Sequence, residues 1–189
     1  MGRTYDAIDD RMRTFLLGQP VFFVATAPLA GDGHVNCSPK SNNGELAVLD
    51  ANTVAWLDRT GSGTETIAHL SEPGNGRIVL MFCAFGGPPR IIRLHGRGEV
   101  VGRDEAAFSG YESLFRPESV FASRSVVVTH VERIADSCGY GVPLMAFDAH
   151  RSTSDEWHAR KGEDGVREYW ADKNAESIDG LPGFASPAR

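Results

Sequence analysis

Apolar runs separated by glycine, proline and aspartate dominate the chain between residues 20 and 131. Most of these runs are rich in β-branched and aromatic residues, which predicts β-strands. Neighbouring runs lie too close in sequence for a crossover helix, so the strands are expected to pair antiparallel as a closed or partly closed barrel. We place six strands, at Val21 to Thr26, His34 to Lys40, Thr53 to Asp58, Arg77 to Phe85, Arg90 to Val101 and Ser125 to Val131.

One of these strands carries a signal for curvature. Arg90 to Val101 alternates polar and apolar residues, and Gly96 and Gly98 both fall on its apolar face. Glycine repeated at inward positions predicts a sharp bend or a close neighbouring backbone, as a barrel corner requires.

Helical spacing of apolar residues flanks the strands on both sides. The expected helices run from about Asp6 to Gly18, follow an N-cap at Asp104, and cover the polar tail from Ser152 to Asn174. We expect Gly162 and Gly165 to divide the tail into two helices and its aromatic residues to pack it on the barrel. The last stretch, Ser177 to Arg189, is rich in glycine and proline and predicts an extended arm.

Composition narrows the class of protein. The 189 residues suit one domain spanning 1–189, with a helical extension from about residue 152. A formal net charge of -6 argues against a nucleic-acid binder. The three cysteines fall in no metal-binding spacing and fit a reducing compartment, and no segment reads as a signal peptide or membrane span. We therefore expect a cytoplasmic protein without a metal site.

The most informative segment is the turn that follows the third strand. Asp58 leads into Arg59, and the next residues combine glycines with four hydroxyl side chains: Thr60, Gly61, Ser62, Gly63, Thr64 and Thr66. Backbone amides freed by glycine, hydroxyl donors and an arginine fork together suit a phosphate. A glycine-rich hairpin loop with Ser62 or Thr64 capping a short helix is an equally good reading of the composition. The segment is not a Walker sequence, because the Gly-Lys-Ser/Thr ending is missing.

Lys40 adds a second candidate at the end of the polar face of its strand, beside Ser38 and Ser41. If this strand pairs antiparallel with Thr53 to Asp58, its polar face and the glycine loop meet around one ligand. The other reading makes Lys40 a solvent-facing residue that guards a sheet edge, and Pro39 agrees with an edge position.

The order of these segments resembles the pyridoxamine 5′-phosphate oxidase-like, FMN-binding split-barrel superfamily. The resemblance is carried by Phe22-Phe23-Val24-Ala25-Thr26, Val35-Asn36-Cys37-Ser38-Pro39-Lys40, the loop from Thr60 to Thr66, Ile78-Val79-Leu80-Met81-Phe82 and Arg90-Ile91-Ile92-Arg93-Leu94-His95-Gly96. It covers roughly Pro20 to Val131. Two tail segments, Asp136 to Pro143 and Ser177 to Pro182, look like those of one bacterial branch.

The resemblance implies a homodimer with two FMN sites at its interface. Ser38, Lys40 and Ser41 then match the strand that contacts the flavin, and the loop matches the phosphate-binding segment. This chain departs from the family where a Ser-Arg-Lys run is common, because it has Thr64-Glu65-Thr66 instead. Arg59 and Lys40, or Arg93 or Arg97 of a second subunit, are expected to replace the two missing cations.

The function implied is that of an FMN-dependent oxidoreductase acting on a small molecule, with no side chain singled out as catalytic. Pyridoxamine phosphate oxidase activity itself is not expected, since it needs a second phosphate site that the sequence does not offer. The alternatives are an F420-dependent reductase and a flavin- or haem-binding sensor or carrier. In the haem alternative, His95 or the tail would host the ligand.

Overall fold

The computed structural model describes residues 2–184. Within that range eight strands form one antiparallel sheet in the order β3-β2-β6-β7-β8-β5-β4, with β1 paired to β8. The strands are β1 (Thr4–Tyr5), β2 (Val21–Thr26), β3 (Asn36–Ser41), β4 (Leu46–Val48), β5 (Thr53–Arg59), β6 (Arg77–Cys83), β7 (Ile91–Gly102) and β8 (Ser123–Ser137). The mainly β, split-barrel prediction is confirmed, but the count of six strands is wrong. β1 and β4 have two and three residues, too few to show a periodic pattern.

The sheet has an irregularity at the paired glycines that the sequence pattern singled out. The register of β7 on β8 shifts between His95 and Gly96, which is a β-bulge. A Cβ at Gly96 would lie 2.0 Å from the backbone oxygen of His130, so only glycine allows the two strands this approach. The long strands β7 and β8 thereby curl the sheet into a half-barrel.

The pairing of the Lys40 strand with β5, on which we made the meeting of the polar face and the glycine loop conditional, does not occur. β3 pairs only with β2 among the described strands and lies at one edge of the sheet, while β5 pairs with β8 and β4. Residues 42–45 connect β3 directly to β4, the strand at the opposite edge. The curled sheet therefore brings its two edges together by closure of the barrel rather than by hydrogen bonding.

Aromatic rings fill the barrel interior. Phe22 stacks on Phe82 with ring centroids 5.3 Å apart and meets Trp56 edge-on at 6.0 Å. All three side chains are fully buried. A second apolar cluster covers the opposite face of β5, β7 and β8. There Leu57 and Val126 pack against the short helical segments between β7 and β8. Burial on both faces explains why residues 54–57 of β5 and 126–128 of β8 are apolar without alternation.

Five helices flank the sheet: α1 (Asp10–Gly18), α2 (Glu65–Ser71), α3 (Ser109–Glu112), α4 (Pro117–Phe121) and α5 (Thr153–Lys173). The first begins later than predicted, because the side chain of Asp9 caps it by accepting a hydrogen bond from the Met12 amide. Asp104 is not the N-cap we expected, since it accepts hydrogen bonds from Arg167 and a 3₁₀ turn, Ala106–Phe108, precedes α3. No helix in the described range is both long and apolar enough to cross a membrane.

The tail helix packs on the barrel as predicted. Trp170 is buried with Val166, Ile67 and Phe184 in a separate cluster between α2 and α5. Gly162 interrupts α5 with a φ of 67°, whereas Gly165 continues the helix, so the predicted break occurs at one glycine only. The described part of the arm, residues 177–184, folds back as a turn with a bridge between Glu176 and Pro182. Residues 185–189 of the predicted arm lie outside the described range.

We expect Gly96→Ala to lower the free energy of unfolding by about 1–3 kcal/mol, because the added methyl group must displace backbone rather than a mobile side chain. Gly110→Ala is the matched control, since its Cβ meets no atom within 4 Å and the residue is helical. Urea denaturation of both variants measures the difference. Stability of Gly96→Ala within about 0.5 kcal/mol of the wild type would contradict the close approach of β7 and β8.

Candidate functional site

A buried carboxylate organises the end of β5. Asp58 is fully buried and accepts hydrogen bonds from Lys40 Nζ at 2.9 Å and Arg124 Nε at 2.8 Å. Arg124 also donates to the carbonyl oxygens of Gly61 at 3.4 Å and Gly63 at 2.6 Å. One network thus joins β3, β5, β8 and the glycine loop, and it places Lys40 next to that loop without strand pairing.

The charges around Asp58 decide its protonation. Burial by itself raises the pKa of this carboxyl group, but the positive charges of Arg124 and Lys40 and their hydrogen bonds outweigh burial. The pKa of Asp58 therefore lies below its ordinary value, and the group is ionised at neutral pH. Lys40 is further held above the ring of Trp56, 4.9 Å from the centroid.

The C-terminal segment satisfies most polar groups of the glycine loop. Thr60 Oγ1 accepts a hydrogen bond from Trp170 Nε1 at 2.9 Å, and Thr64 Oγ1 accepts one from the Phe184 amide at 3.1 Å. The side-chain amide of Asn174 donates to the carbonyl oxygens of Gly61 and Ser62. Thr64 is buried under this contact. The loop is thus covered on one side by the protein's own tail.

Two loop residues occupy positions where the family often has cations, and each has a hydrogen-bond partner within the chain. Thr66 is buried and accepts a hydrogen bond from Asn36 Nδ2 at 3.0 Å. Glu65, which would repel a phosphate if it pointed inward, accepts a hydrogen bond from the Ile178 amide instead. The carboxylate of Glu65 is therefore directed to the C-terminal turn.

Arg59 lies on the opposite face of β5 from Asp58, as alternation along a strand requires. Its guanidinium donates to Glu45 Oε1 at 3.3 Å, to Ser154 Oγ at 3.2 Å and to the carboxylate of Asp155. The Nε–H is buried and has no partner among the described residues. Arg59 therefore ties β5 to the start of α5 and still keeps one donor unused.

A cleft of about 880 Å³ opens between β3, the end of β5 and the C-terminal segment. Pro39 and Leu57 contribute to the barrel side, and Phe147, Trp157 and Tyr169 form an aromatic wall on the other. Within the described chain, the charged side chains that line it are Lys40, Arg59 and Arg151 against Glu45. The cleft is positive locally, although the chain as a whole is acidic.

The structure brings half of the sequence-predicted site residues into this cleft. The lining includes Lys40, Ser41, Arg59, Thr60 and Gly61, while Ser38, Asp58, Ser62, Thr64 and Thr66 lie behind or beside it. The hydroxyl of Ser38 is buried without a hydrogen-bond partner among the described residues.

Several residues of the site escaped the sequence reasoning. Arg124 pairs with the buried carboxylate of Asp58, and Glu45 and Asp155 hold Arg59. Trp157 and His158 line the cleft from α5. An arginine just before the apolar run of β8 was a visible signal, because a charge at a buried position requires a partner. The contacts of Asp155, Trp157 and His158 depend on how the tail docks, which local patterns do not encode.

We expect Asp58→Asn to be less stable than the wild type by about 3–5 kcal/mol at neutral pH, because Lys40 and Arg124 lose their shared counter-ion. The carboxylate stabilises the fold above the unfolded pKa of aspartate, about 3.9, and this contribution is lost as the pH falls through the lower folded pKa. The gap between wild type and Asp58→Asn should therefore narrow below about pH 4. Urea denaturation across this pH range measures it.

The control for this series is Asp164→Asn, a change at an exposed position of α5. It should leave stability unchanged at every pH. A gap between wild type and Asp58→Asn that stays constant down to pH 3 would show that the carboxylate is not held by its two cations.

Known proteins are similar to this chain in sequence and in fold. A family profile described as pyridoxamine 5′-phosphate oxidase matches residues 8–138. The pyridoxamine 5′-phosphate oxidase family protein ustO of Aspergillus flavus is 37% identical over 201 residues, covering 98% of this chain and 79% of that protein.

Solved structures agree at the level of the fold. A putative pyridoxamine 5′-phosphate oxidase of Lactobacillus delbrueckii aligns with a TM-score of 0.51 and 16% identity, over 70% of this chain and 97% of that chain. A HupZ variant of Group A Streptococcus aligns with a TM-score of 0.50 and 21% identity, over 69% of this chain and 99% of that chain. With the profile spanning more than half of its residues, the chain belongs to the pyridoxamine 5′-phosphate oxidase family.

Proposed function

We propose that this protein binds FMN in the cleft beside β3 and acts as a flavin-dependent oxidoreductase on a small molecule. The observation that carries the proposal is the position of the positive cleft. It lies where the strand carrying Lys40 and the loop after Arg59 meet, the two segments that the family resemblance assigns to flavin binding. Neither segment alone forms a pocket.

The cleft fits a flavin in size and in chemistry. Its volume of about 880 Å³ falls in the range typical of sites for small-molecule ligands and cofactors. Lys40 has three N–H donors, of which one is donated to Asp58. The Nε–H of Arg59 has no partner among the described residues. The hydroxyl of Thr60 accepts from Trp170 and still has its own proton to donate. These donors suit the ribityl phosphate, while Asp58 and Asp155 behind them weaken the net charge.

A bound flavin would supply hydride or electron transfer. The protein's own residues position the ligand and shield it from water. Lys40 and Arg59 anchor the anionic end, and Phe147, Trp157 and Tyr169 offer an apolar aromatic surface for a planar ring. We assign no side chain to proton transfer with the substrate.

Experiment distinguishes FMN from the two alternative ligands, F420 and haem. F420 carries an acidic tail that needs a more cationic groove than three cations facing one carboxylate. For haem, His95 lines a separate pocket of only about 260 Å³. The absorption spectrum of the purified protein distinguishes them, since oxidised flavin, deazaflavin and a Soret band differ plainly.

We further propose that two copies associate as a homodimer. Exposed apolar side chains cluster on the segment between β8 and α5, where Tyr140, Leu144, Met145 and Phe147 are each more than half exposed. Apolar groups concentrated on one irregular segment are typical of a surface that another chain covers. Phe147 also lines the cleft, so a second copy on this segment would border the ligand site.

We expect Lys40→Met/Arg59→Met to bind FMN about 10- to 100-fold more weakly than the wild type, because two charge-assisted hydrogen bonds to phosphate are lost. Affinity for riboflavin, which lacks the phosphate, should change far less. Fluorescence titration with both flavins measures the ratio, and Arg160→Met/Lys173→Met, at exposed positions, is the charge-matched control. An unchanged ratio of FMN to riboflavin affinity would place the phosphate elsewhere.

Light scattering after size exclusion tests the dimer. The wild type should have twice the mass of the 20.5 kDa chain, and Leu144→Asp should shift the population to monomer because it buries a charge in the interface. Glu132→Asp, on an exposed part of β8, is a neutral control. A wild type that is monomeric at micromolar concentration would refute the proposal.

A further inference from the structure

One histidine in the cleft wall has half of its hydrogen-bonding capacity unused. His158, in the first half of α5, is 1% exposed and lines the cleft. The ring of Trp157 meets it edge-on, with the centroids 4.9 Å apart. The imidazole is therefore packed within the wall of the cleft.

The hydrogen bond of the other nitrogen fixes the tautomer. His158 Nδ1 lies 2.6 Å from the carbonyl oxygen of Ser154, and a carbonyl oxygen only accepts, so Nδ1 carries the proton. In the neutral ring Nε2 is then an acceptor. It is buried and has no partner among the described residues. A buried polar atom without a partner is uncommon in native proteins and indicates a missing ligand or water.

The surroundings keep the ring neutral. Burial is the largest cause and lowers the pKa of His158 below its ordinary value. The hydrogen bond to Ser154 and the charge of Asp155 raise this pKa, whereas the charge of Arg59 lowers it further. Asp155 is itself neutralised by ion pairs with Arg59 and Arg116, which limits its pull on the imidazole.

We propose that His158 is a ligand-binding residue whose Nε2 accepts a hydrogen bond from an N–H or O–H group of the flavin in the cleft. This rests on the proposed function. The flavin offers two kinds of neutral donor, the imide N–H of its ring and the hydroxyls of its ribityl chain. Its phosphate dianion has no proton to donate, so His158 contacts the uncharged part of the molecule, while Lys40 and Arg59 hold the anionic end.

Riboflavin is the probe of choice, because it has both kinds of donor and lacks the titrating phosphate. At pH 8, His158→Phe should weaken riboflavin binding about tenfold, the loss expected for one hydrogen bond to a buried acceptor. His158→Gln should stay within about threefold of the wild type, since the amide oxygen can accept in place of Nε2. Fluorescence titration gives the dissociation constants, and circular dichroism verifies that each variant is folded.

The pH profile gives a second readout that a purely structural role would not produce. An imidazolium cannot accept a hydrogen bond, so wild-type affinity for riboflavin should be level at high pH and fall once the pH drops below the pKa of His158, under about 6.5. His158→Gln should be flat over the same range. If His158→Phe does not fold, this comparison of wild type with His158→Gln decides the question.

The two possible donors on the flavin separate with N3-methylriboflavin. If the ring N–H is the donor, methylation should remove the difference between wild type and His158→Phe, and if a hydroxyl is the donor the difference should persist. Either result supports the role of His158.

Equal riboflavin affinity of wild type, His158→Phe and His158→Gln would overturn the inference and leave FMN binding intact, as expected if a buried water satisfies Nε2. Wild-type affinity that rises on acidification would also overturn it, because the ring would then act as a donor. If the wild type binds neither FMN nor riboflavin, the proposed function fails and the inference fails with it.

Discussion

Ionised Asp58, removed from water at the end of β5, is the group around which the site is built. A lone carboxylate in that position would be costly, and Lys40 and Arg124 offset the cost by approaching from β3 and β8. The same two cations also connect this carboxylate to β3 and to the glycine loop. Lys40 spans the gap between the two edges of the curled sheet, and Arg124 holds the glycine loop through its carbonyl oxygens. The split barrel and the cleft therefore share one electrostatic anchor.

This anchor also limits what the cleft can bind. The carboxylate of Asp58 partly neutralises the positive charge of Lys40. Glu45 and Asp155 partly neutralise that of Arg59. A ligand phosphate thus meets partly neutralised cations, which favours modest affinity from the phosphate and a larger share from the ring. In the proposed complex the C-terminal segment supplies that share. Its helix α5 brings an aromatic wall and an imidazole acceptor to a barrel edge that would otherwise lie open.

Much of the fold could be predicted from the sequence because strands leave a local signal. The run Val21 to Thr26 matches β2 at both ends, and the glycines of β7 marked the bend. The features of the fold that the sequence did not predict depend on contacts between residues far apart in the chain, which form when the barrel closes. β4 is too short for a period, and Lys40 reaches Asp58 across the barrel opening instead of along a ladder. For the site, Lys40 and Arg59 were identifiable as unusual cations beside a glycine loop. Asp58 was also among the predicted residues, whereas Glu45, which reaches Arg59 from just before β4, was not. Asp155 and His158 were not identifiable either, since their contacts arise only when the tail docks.

We propose one flavin-binding cleft, between the barrel edge and the tail. The measurement that tests it most directly is a crystal structure of the protein grown with FMN. We expect flavin density between β3 and α5, with the phosphate within hydrogen-bonding distance of Lys40 or Arg59 and the isoalloxazine beside the aromatic wall. Flavin density at another surface, with this cleft holding only solvent, would contradict it.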